Sequence, residues 1–447
     1  MSLRDDVLAQ VPAALDDLKT LVAIESVSAD PGRVGDVGHS AEVVTDMLRA
    51  LGCPDVRIAR AGNGAPAVIG RFPAPPGRPT VCLYAHHDVQ PEGDPALWKT
   101  PPFEATEMGE RLFGRGTADD KGGLAVHLAV LRAFGGRPPV GVTLLVEGEE
   151  EIGSPTLARF VDEYRRDLAA DVYVIADSGN WDLGEPAFTT SLRGLVDCVV
   201  EVRTLDHGVH SGSYGGVVPD ALTALCRLLA TLHDDKGNVA VEGLVSTAAP
   251  DLDYPEDRLR KESGVLDGVP WIGDGTLVAR MWCKPAISVI ALDATPVAKA
   301  SNTLIPSAQA KISLRLAPGD VAVRARAALS QHLYDHAPWG VQVQVIDGEA
   351  ADPSVMSLAG PYAEAARAAF AEAWGVAPVA AGEGGSIPMI AEFSRSFPDA
   401  TILVTGVADP DTRAHGANES VYLPDFTAAC VGEALMLDAF ATIGQHA

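Results

Sequence analysis

The sequence predicts an α/β fold, in which a mostly parallel-sheet domain carries a smaller, inserted α+β domain. In the first 190 residues and again after about residue 353, short continuous apolar runs alternate with helical periodicity, the pattern of a parallel sheet covered by helices on both faces. From about residue 191 to 350, apolar and polar residues instead alternate with a period of two, which is typical of antiparallel strands with one exposed face. We therefore expect one domain made of 1–190 and 351–447, and a second at 191–350.

The elements of the first domain follow from the spacing and the length of its apolar runs. Apolar residues three and four positions apart predict helices over 4–24, 41–51 and 123–134. Continuous apolar runs predict buried strands at 81–84, 142–146 and 172–175. The same pattern returns after the insertion, as a helix ending at Trp374, a strand at 401–404 and a last helix near 425–442.

The inserted domain is predicted from three alternating stretches and two helical ones. Apolar side chains alternate with polar ones at 196–202, 308–316 and 341–345, and helices are expected at 219–234 and 319–337. The stretch 246–284 is rich in Asp, Gly and Pro and has no clear periodicity. We expect it to be irregular.

Charge excludes some classes of partner. The 447 residues carry a net charge of −26, with a sequence pI near 4.7. No run of Lys and Arg occurs, and nucleic acids and anionic membranes both bind basic surfaces. No segment approaches the roughly 20 apolar residues of a membrane-spanning helix. We expect neither a nucleic-acid partner nor a membrane partner.

The cysteines and the first residues predict the compartment. Six cysteines are scattered singly, without a Cys-x-x-Cys pair, which indicates buried thiols in a reducing compartment and argues against disulfides or a cysteine zinc site. The first six residues contain no apolar stretch after a basic start, so we expect no secretory signal. The sequence therefore predicts a cytoplasmic protein.

Histidines and carboxylates gather in five short segments. Each segment follows a predicted strand or lies in a glycine-rich turn, and together they cover 84–89, 114–123, 147–154, 175–179 and 413–419. Open parallel sheets bring the carboxyl ends of their strands to one edge, where these segments would meet. In the first segment, His86 and Asp88 would point the same way, so that the carboxylate can orient the imidazole.

These residue types indicate a metal site. Two histidines and several carboxylates, without cysteine, suit zinc, cobalt or manganese. More carboxylates are present than one ion needs, which suggests two ions bridged by an Asp, about 3.5–4 Å apart. Each segment alone has a simpler explanation, as a hydrogen-bonded pair, a solvated turn or a helix cap. Five such coincidences at strand ends favour the metal site.

With these motifs, the sequence resembles the family of dinuclear zinc dipeptidases, carboxypeptidases and N-deacylases over essentially its whole length. It is most similar to the branch of carnosine and cysteinylglycine dipeptidases. The motifs that indicate this branch lie at 98–103, 191–194, 210–216, 313–316 and 384–388. The resemblance implies a metallohydrolase domain with an inserted lid and dimerisation domain. It also implies two divalent metal ions per subunit, for which zinc is the first choice and manganese or cobalt the alternatives.

The resemblance also implies a role for each residue of the five segments. One metal would be held by His86 and Asp177, the other by Glu151 and His415, with Asp119 bridging both. Glu150 would be the general base and Asp88 the partner of His86. A water between two cations has its pKa lowered toward about 7, and a neighbouring carboxylate can take its proton and deliver it to the leaving amine.

The inserted domain is implied to complete the site. In the family, a histidine from the opposite subunit stabilises the tetrahedral oxyanion, and the matching residue here is His210. Because this histidine comes from the other subunit, the resemblance implies a homodimer that forms through 191–350. Arg315 would clamp the α-carboxylate of the substrate, a bidentate role suited to a guanidinium. Ser386 would share that carboxylate, and Asn302 and Thr303 match a contact position in the lid.

Some positions depart from the family pattern and leave the substrate open. Ala85 stands where many relatives have Gly, and Gly348-Glu349-Ala350 lacks the histidine of carnosine-type members. The stretch 246–284 is also shorter than in the carnosine-type members, so carnosine itself is not expected to be the substrate. We predict a dipeptidase, with an N-acyl amino acid deacylase or a carboxypeptidase as the alternative. A non-catalytic binding relative is a remote possibility, and a calcium-binding protein is disfavoured because no DxDxDG loop occurs.

Overall fold

The structure, a computed structural model, describes residues 2–385 and 387–443. The described residues form thirteen α-helices: α1 Leu3–Leu8, α2 Val11–Val22, α3 Val34–Ala50, α4 Lys121–Ala133, α5 Leu157–Glu163, α6 Arg165–Leu168, α7 Ser211–Tyr214, α8 Ala221–Ala230, α9 Glu256–Ser263, α10 Ala322–Asp335, α11 Pro361–Trp374, α12 Pro388–Ser396 and α13 Leu423–Phe440. Short 3-10 turns span Pro31–Arg33, Pro95–Leu97, Glu150–Ile152, Val297–Lys299 and Pro338–Gly340, and a π-helical turn spans Ala279–Cys283.

Eighteen strands lie in the same described residues: β1 Asp55–Ala59, β2 Ala67–Phe72, β3 Thr80–His86, β4 Thr106–Met108, β5 Arg111–Phe113, β6 Gly141–Glu147, β7 Val172–Ile175, β8 Ala187–Leu192, β9 Gly194–Arg203, β10 Val209–His210, β11 Ala286–Asp293, β12 Thr303–Leu304, β13 Ser307–Leu316, β14 Gln342–Ala351, β15 Ser354–Val355, β16 Val379–Glu383, β17 Thr401–Val404 and β18 Ser420–Tyr422.

The chain divides into two compact units. The first holds the residues up to Thr190, Met356–Ala381 and those from Ile387 onward, and the second holds Ser191–Val355 with 382–385. The sequence-based division places 351–355 and 382–385 with the first domain instead. They fall to the second unit because β15 pairs with residues 191–192 of β8 and because the main chain of Arg193 donates to the carbonyl of Glu383.

The first unit is built on a six-stranded sheet in the order β1-β2-β6-β3-β7-β17. Strands β6, β3, β7 and β17 run parallel to one another, whereas at one edge β2 pairs antiparallel with β6 and β1 pairs antiparallel with β2. Strands β6 and β7 are entirely buried and β3 is buried except at its first residue, as expected where helices cover both faces of a parallel sheet. The predicted mostly parallel sheet is confirmed, and the carboxyl ends of its parallel strands lie along one edge.

Helix α4 fixes one side of that edge. It is buried from Lys121 to Leu131 and packs against α2 and α13. The predicted helix over 4–24 is wrong in one respect, since the structure divides it into α1 and α2. Pro12 lies in the first turn of α2. Its missing N–H costs nothing there, because the first N–H groups of a helix have no partner within it, but a proline cannot continue a helix that begins before it.

The second unit has a four-stranded antiparallel sheet in the order β11-β13-β9-β14. Burial alternates residue by residue along β13, and α8 and α10 pack on the sheet with their apolar sides. The period-two prediction is therefore confirmed for β9 and β13. Helix α9 interrupts the stretch predicted to be irregular. None of its residues is buried, so it has no apolar periodicity by which a helix could be predicted.

The helices and the cysteines can be compared with the sequence expectations. Among the described residues, none of the helices combines the length and the apolar character that a membrane span needs. All six cysteines are free thiols, and five are buried. The expectation of burial is wrong for Cys226, which is exposed because it lies on the side of α8 opposite to Ala224, Leu225 and Leu228.

Candidate metal centre

The candidate metal centre lies at the carboxyl ends of the parallel strands in the first unit. His86 ends β3, Asp177 follows β7 by two residues, and Asp119 precedes α4. Glu150 and Glu151 begin the 3-10 turn that follows β6. His415 lies in the loop after β17, with a left-handed backbone at φ 62°.

Two groups of these side chains are arranged as metal ligands. In each group the potential ligand atoms lie within 4.8 Å of one another; one group is His86, Glu150 and Asp177, and the other is His86, Asp119 and Glu151. The Nε2 atom of His86 lies 3.7 Å from the Oδ1 atom of Asp177. The side chain of His86 is fully buried, whereas Asp119 and Asp177 keep small exposed fractions of 17% and 14%. The carboxylates are therefore mostly buried but still reach solvent.

Asp119 lies between two imidazoles. Its Oδ1 atom is 3.1 Å from Nε2 of His86, and its Oδ2 atom is 3.0 Å from Nε2 of His415. The same nitrogen of His415 lies 3.2 Å from Oε2 of Glu151. Each oxygen of one carboxylate thus meets a different histidine, which is the arrangement that a carboxylate bridging two ions requires.

Burial and neighbouring charges shift the pKa values of the carboxyl groups in this cluster. Burial works to raise the pKa of Asp119, yet His415 and His86 hold it well below its usual value. Burial, opposed by His86, raises the pKa of Asp177 to about 6. Burial and the neighbouring Asp177 raise the pKa of Glu150 well above its usual value. Bringing this many carboxylates together out of water favours bound cations.

The protonation of His86 is fixed by its neighbour. Its Nδ1 atom lies 3.0 Å from the main-chain oxygen of Asp88, which can only accept a hydrogen bond. Nδ1 must therefore donate, and in the neutral ring the lone pair of Nε2 is left pointing at Asp119 and Asp177. The carboxylate of Asp88 lies 3.5 Å from the same Nδ1 atom and accepts from the main-chain N–H groups of Glu150 and Glu151, at 3.3 and 3.1 Å.

Gln90 orients Glu151 and was not identified from the sequence. Its amide Nε2 donates to Oε2 of Glu151 at 2.8 Å, and its main-chain N–H donates to Oε1 at 3.1 Å. The only sequence signal was its position two residues after the His-x-Asp motif. An isolated Gln has no chemistry that marks it beforehand.

The donor set fits divalent metal ions of hydrolytic enzymes. Imidazole nitrogen and carboxylate oxygen, without thiolate, suit zinc, manganese and cobalt. The structure brings together two histidines and several carboxylates, as the sequence predicted, within hydrogen-bonding and ion-pair distances.

The remaining predicted residues that the structure describes belong to the second unit. His210 ends β10 and pairs in register with Thr303 of β12, next to Asn302. The N–H of Ser213 donates to Nδ1 of His210 at 3.2 Å. Nδ1 is then an acceptor, so the neutral ring carries its proton on Nε2, as an exposed donor. Ser386 lies outside the described residues.

Arg315 has a second guanidinium beside it. It lies on β13 directly opposite Leu195 of β9, and Arg193 is the residue between β8 and β9, two positions before Leu195. Arg193 is buried, and its Nε atom has no hydrogen-bond partner among the residues that the structure describes. Burial and the charge of Arg315 lower the pKa of Arg193 to about 10. Two neighbouring cations of this kind favour a bound anion.

Comparison with known proteins places the chain in a family. Residues 82–437 match the family described as peptidase family M20/M25/M40. A cysteinylglycine-S-conjugate dipeptidase of Corynebacterium striatum is 34% identical over 428 residues, which cover 94% of each chain. The Beta-Ala-His dipeptidase of Homo sapiens is 26% identical, covering 90% of this chain and 85% of that protein.

Solved structures share the fold. The dipeptidase Dug1p from Saccharomyces cerevisiae has a TM-score of 0.84 at 23% identity, with 100% of both chains covered. Human carnosine dipeptidase 1 has the same TM-score at 24% identity, covering 99% of this chain and 100% of that one. With a family match over most of its length and a relative more than 30% identical, the chain belongs to peptidase family M20/M25/M40.

Proposed function

We propose that this peptidase is a dinuclear metallodipeptidase, which hydrolyses the amide bond of a dipeptide next to a free carboxylate. The observation that carries the proposal is the carboxylate of Asp119, with the Nε2 atoms of His86 and His415 at 3.1 and 3.0 Å from its two oxygens. Relatives named as dipeptidases support the choice of substrate class. An N-acyl amino acid deacylase or carboxypeptidase, which acts on a similar amide, is the alternative.

The first-unit residues would divide into ligands and a base. His86 and Asp177 would hold one ion, Glu151 and His415 the other, and Asp119 both. The ions, most suitably zinc, would supply a Lewis acid for the carbonyl and lower the pKa of water. The carboxyl group of Glu150, with its raised pKa, suits transfer of a proton from the attacking water to the leaving amine.

Asp88 and the second unit would position the reactants. Asp88 would hold His86 through its main-chain oxygen and the turn of Glu150 and Glu151 through its carboxylate. His210 of the partner subunit would donate from Nε2 to the developing oxyanion. Arg315 would bind the substrate carboxylate, supported by the neighbouring Arg193, and Asn302, Thr303 and Ser386 would contribute contacts beside it.

In this proposal 1–190 and 351–447 form the catalytic domain, and 191–350 forms the lid and dimerisation domain. The six free cysteines suit a reducing compartment and support the proposal of a cytoplasmic enzyme.

A substrate panel tests the function directly. The protein would be stripped of metal, reloaded with zinc, manganese or cobalt, and assayed for amino acid release from dipeptides and from N-acyl amino acids. Metal-dependent cleavage of dipeptides alone is the expected result. Cleavage of the acylated substrates alone would overturn the dipeptidase assignment and favour a deacylase. Two bound metals with no cleavage in either panel would favour a binding protein.

The proposed homodimer has a specific candidate edge. Strand β11 lies at one edge of the four-stranded sheet, and Val289, Ile290 and Leu292 on it are 45%, 56% and 46% exposed. An apolar edge strand with unpaired backbone groups favours pairing with a second copy.

Ile290→Lys is expected to convert the dimer into a monomer, because a charge on this edge opposes strand pairing. Sedimentation velocity at matched concentrations gives the mass of each form. Val323→Lys is the matched control, since Val323 is 75% exposed on α10 and does not lie on this edge. A dimeric Ile290→Lys protein would contradict the proposed interface.

A further inference from the structure

A buried ion pair in the first unit contacts the loop that carries Asp119, the loop that carries His415 and the loop that follows β3. Arg115 Nη1 and Glu419 Oε2 lie 2.5 Å apart, and their side chains are 1% and 0% exposed. Neither residue is among the proposed metal ligands or catalytic groups. Buried ion pairs contribute little net stability compared with apolar side chains of similar size, so the contacts of this pair indicate what it is used for.

Glu419 shapes the loop that carries Asp119. Its Oε1 atom accepts from the main-chain N–H groups of Ala118 and Asp119, at 3.1 and 3.2 Å. Its Oε2 atom accepts from the N–H of Gly116 at 3.0 Å. One carboxylate thus binds three amides within four residues and ends at the backbone of the residue proposed to bridge both metals.

Arg115 connects the other two loops. Its Nη2 atom donates to the main-chain oxygen of Gly416, next to His415, and to that of Pro91, both at 3.2 Å. Pro91 follows Gln90, whose amide holds Glu151. The guanidinium also lies over the indole of Trp98, 5.5 Å from the ring centre.

We propose that Arg115 and Glu419 are the positioning pair of one metal position, the one formed by Asp119, Glu151 and His415. The pair fixes the backbone beside Asp119 and His415 and the loop beside Glu151. Among the described residues it forms no hydrogen bond or ion pair with His86 or Asp177, the two proposed ligands that belong to the other position alone. This inference rests on the dinuclear site of the proposed function.

Glu419→Gln is therefore expected to weaken one metal position and spare the other. The amide keeps the size of the side chain but loses the charge and half of the acceptor capacity. Removal of such a supporting group lowers metal affinity about 10- to 100-fold. Calorimetric titration of the metal-free protein with Zn²⁺, and metal content after gel filtration, would show two tight sites in the wild type and one in the variant.

Glu433→Gln is the matched control. Glu433 is also a buried carboxylate in an ion pair, 2.8 Å from Nδ1 of His127, and its pair joins α4 and α13 rather than the ligand loops. This variant is expected to keep both metals. Loss of one metal from it as well would overturn the inference, because general destabilisation would then explain the effect.

Arg115→Lys provides a second, milder variant in case Glu419→Gln does not fold. The ammonium keeps the charge but cannot span Glu419, Gly416 and Pro91 together, so the same selective loss is expected. A wild-type protein with fewer than two sites would refute the dinuclear proposal itself. Two tight sites in the wild type and in both variants would refute only the role of the pair.

Discussion

Glu150→Gln is expected to retain both metals and to lower kcat by about 10²- to 10⁴-fold, the range that general acid–base catalysis contributes. The amide has the size of the carboxyl group but can neither accept the proton of water nor deliver one to the leaving amine. The proposed ligands Asp177 and Glu151 stay in place. Steady-state kinetics together with metal content per subunit would separate loss of the base from loss of metal.

A neighbouring carboxylate offers the control for this variant. Glu149 precedes Glu150 in the same turn, but its oxygens accept from the N–H and hydroxyl of Thr156 and from the N–H of Ala65. Glu149 thus holds the backbone around the turn together, and Glu149→Gln is expected to lower the stability of the protein more than its turnover. If Glu150→Gln kept its metals and turned over at the wild-type rate, Glu150 would not be the general base.

The positions of the candidate ligands could be anticipated because they depend on topology. Residues that follow parallel strands meet at one edge, so His86 at the end of β3 and Asp177 after β7 could be expected to approach each other from strand prediction alone. The segment of His415 was expected at the same edge, but the position of its imidazole beside Asp119 was not predictable, because it depends on a loop whose backbone is held by Arg115.

Apart from Asp88, the residues that support the ligands were not predicted, for a physical reason. Gln90, Arg115 and Glu419 act through hydrogen bonds to the backbone of segments far away in sequence. Such contacts leave no periodicity and no spacing rule in the chain. Prediction of the fold had the same limit. Helix α9 was not predicted because it buries no side chain, and β11 was not predicted because its exposed apolar residues do not alternate with polar ones.

Asp119→Asn is expected to reduce the metal content from two ions to at most one per subunit and to abolish cleavage. The carboxylate presents one oxygen to each histidine, whereas the amide has one oxygen and an NH₂ group that cannot accept or coordinate. Two unit positive charges 4 Å apart repel by about 4 kcal/mol at an effective dielectric constant of about 20. Divalent ions repel about four times as strongly, since each carries twice the charge.

The anion between the two positions is what offsets this repulsion, so its loss should cost more than the loss of a ligand on one side. Asp425→Asn is the matched control, because Asp425 is a buried carboxylate that accepts from the N–H of Gly184 and from Nε1 of Trp374 and contacts none of the ligands. Metal analysis and kinetics on both variants decide the point. Two tightly held metals in Asp119→Asn would mean that another group bridges them, and the assignment of every ligand around Asp119 would have to be revised with it.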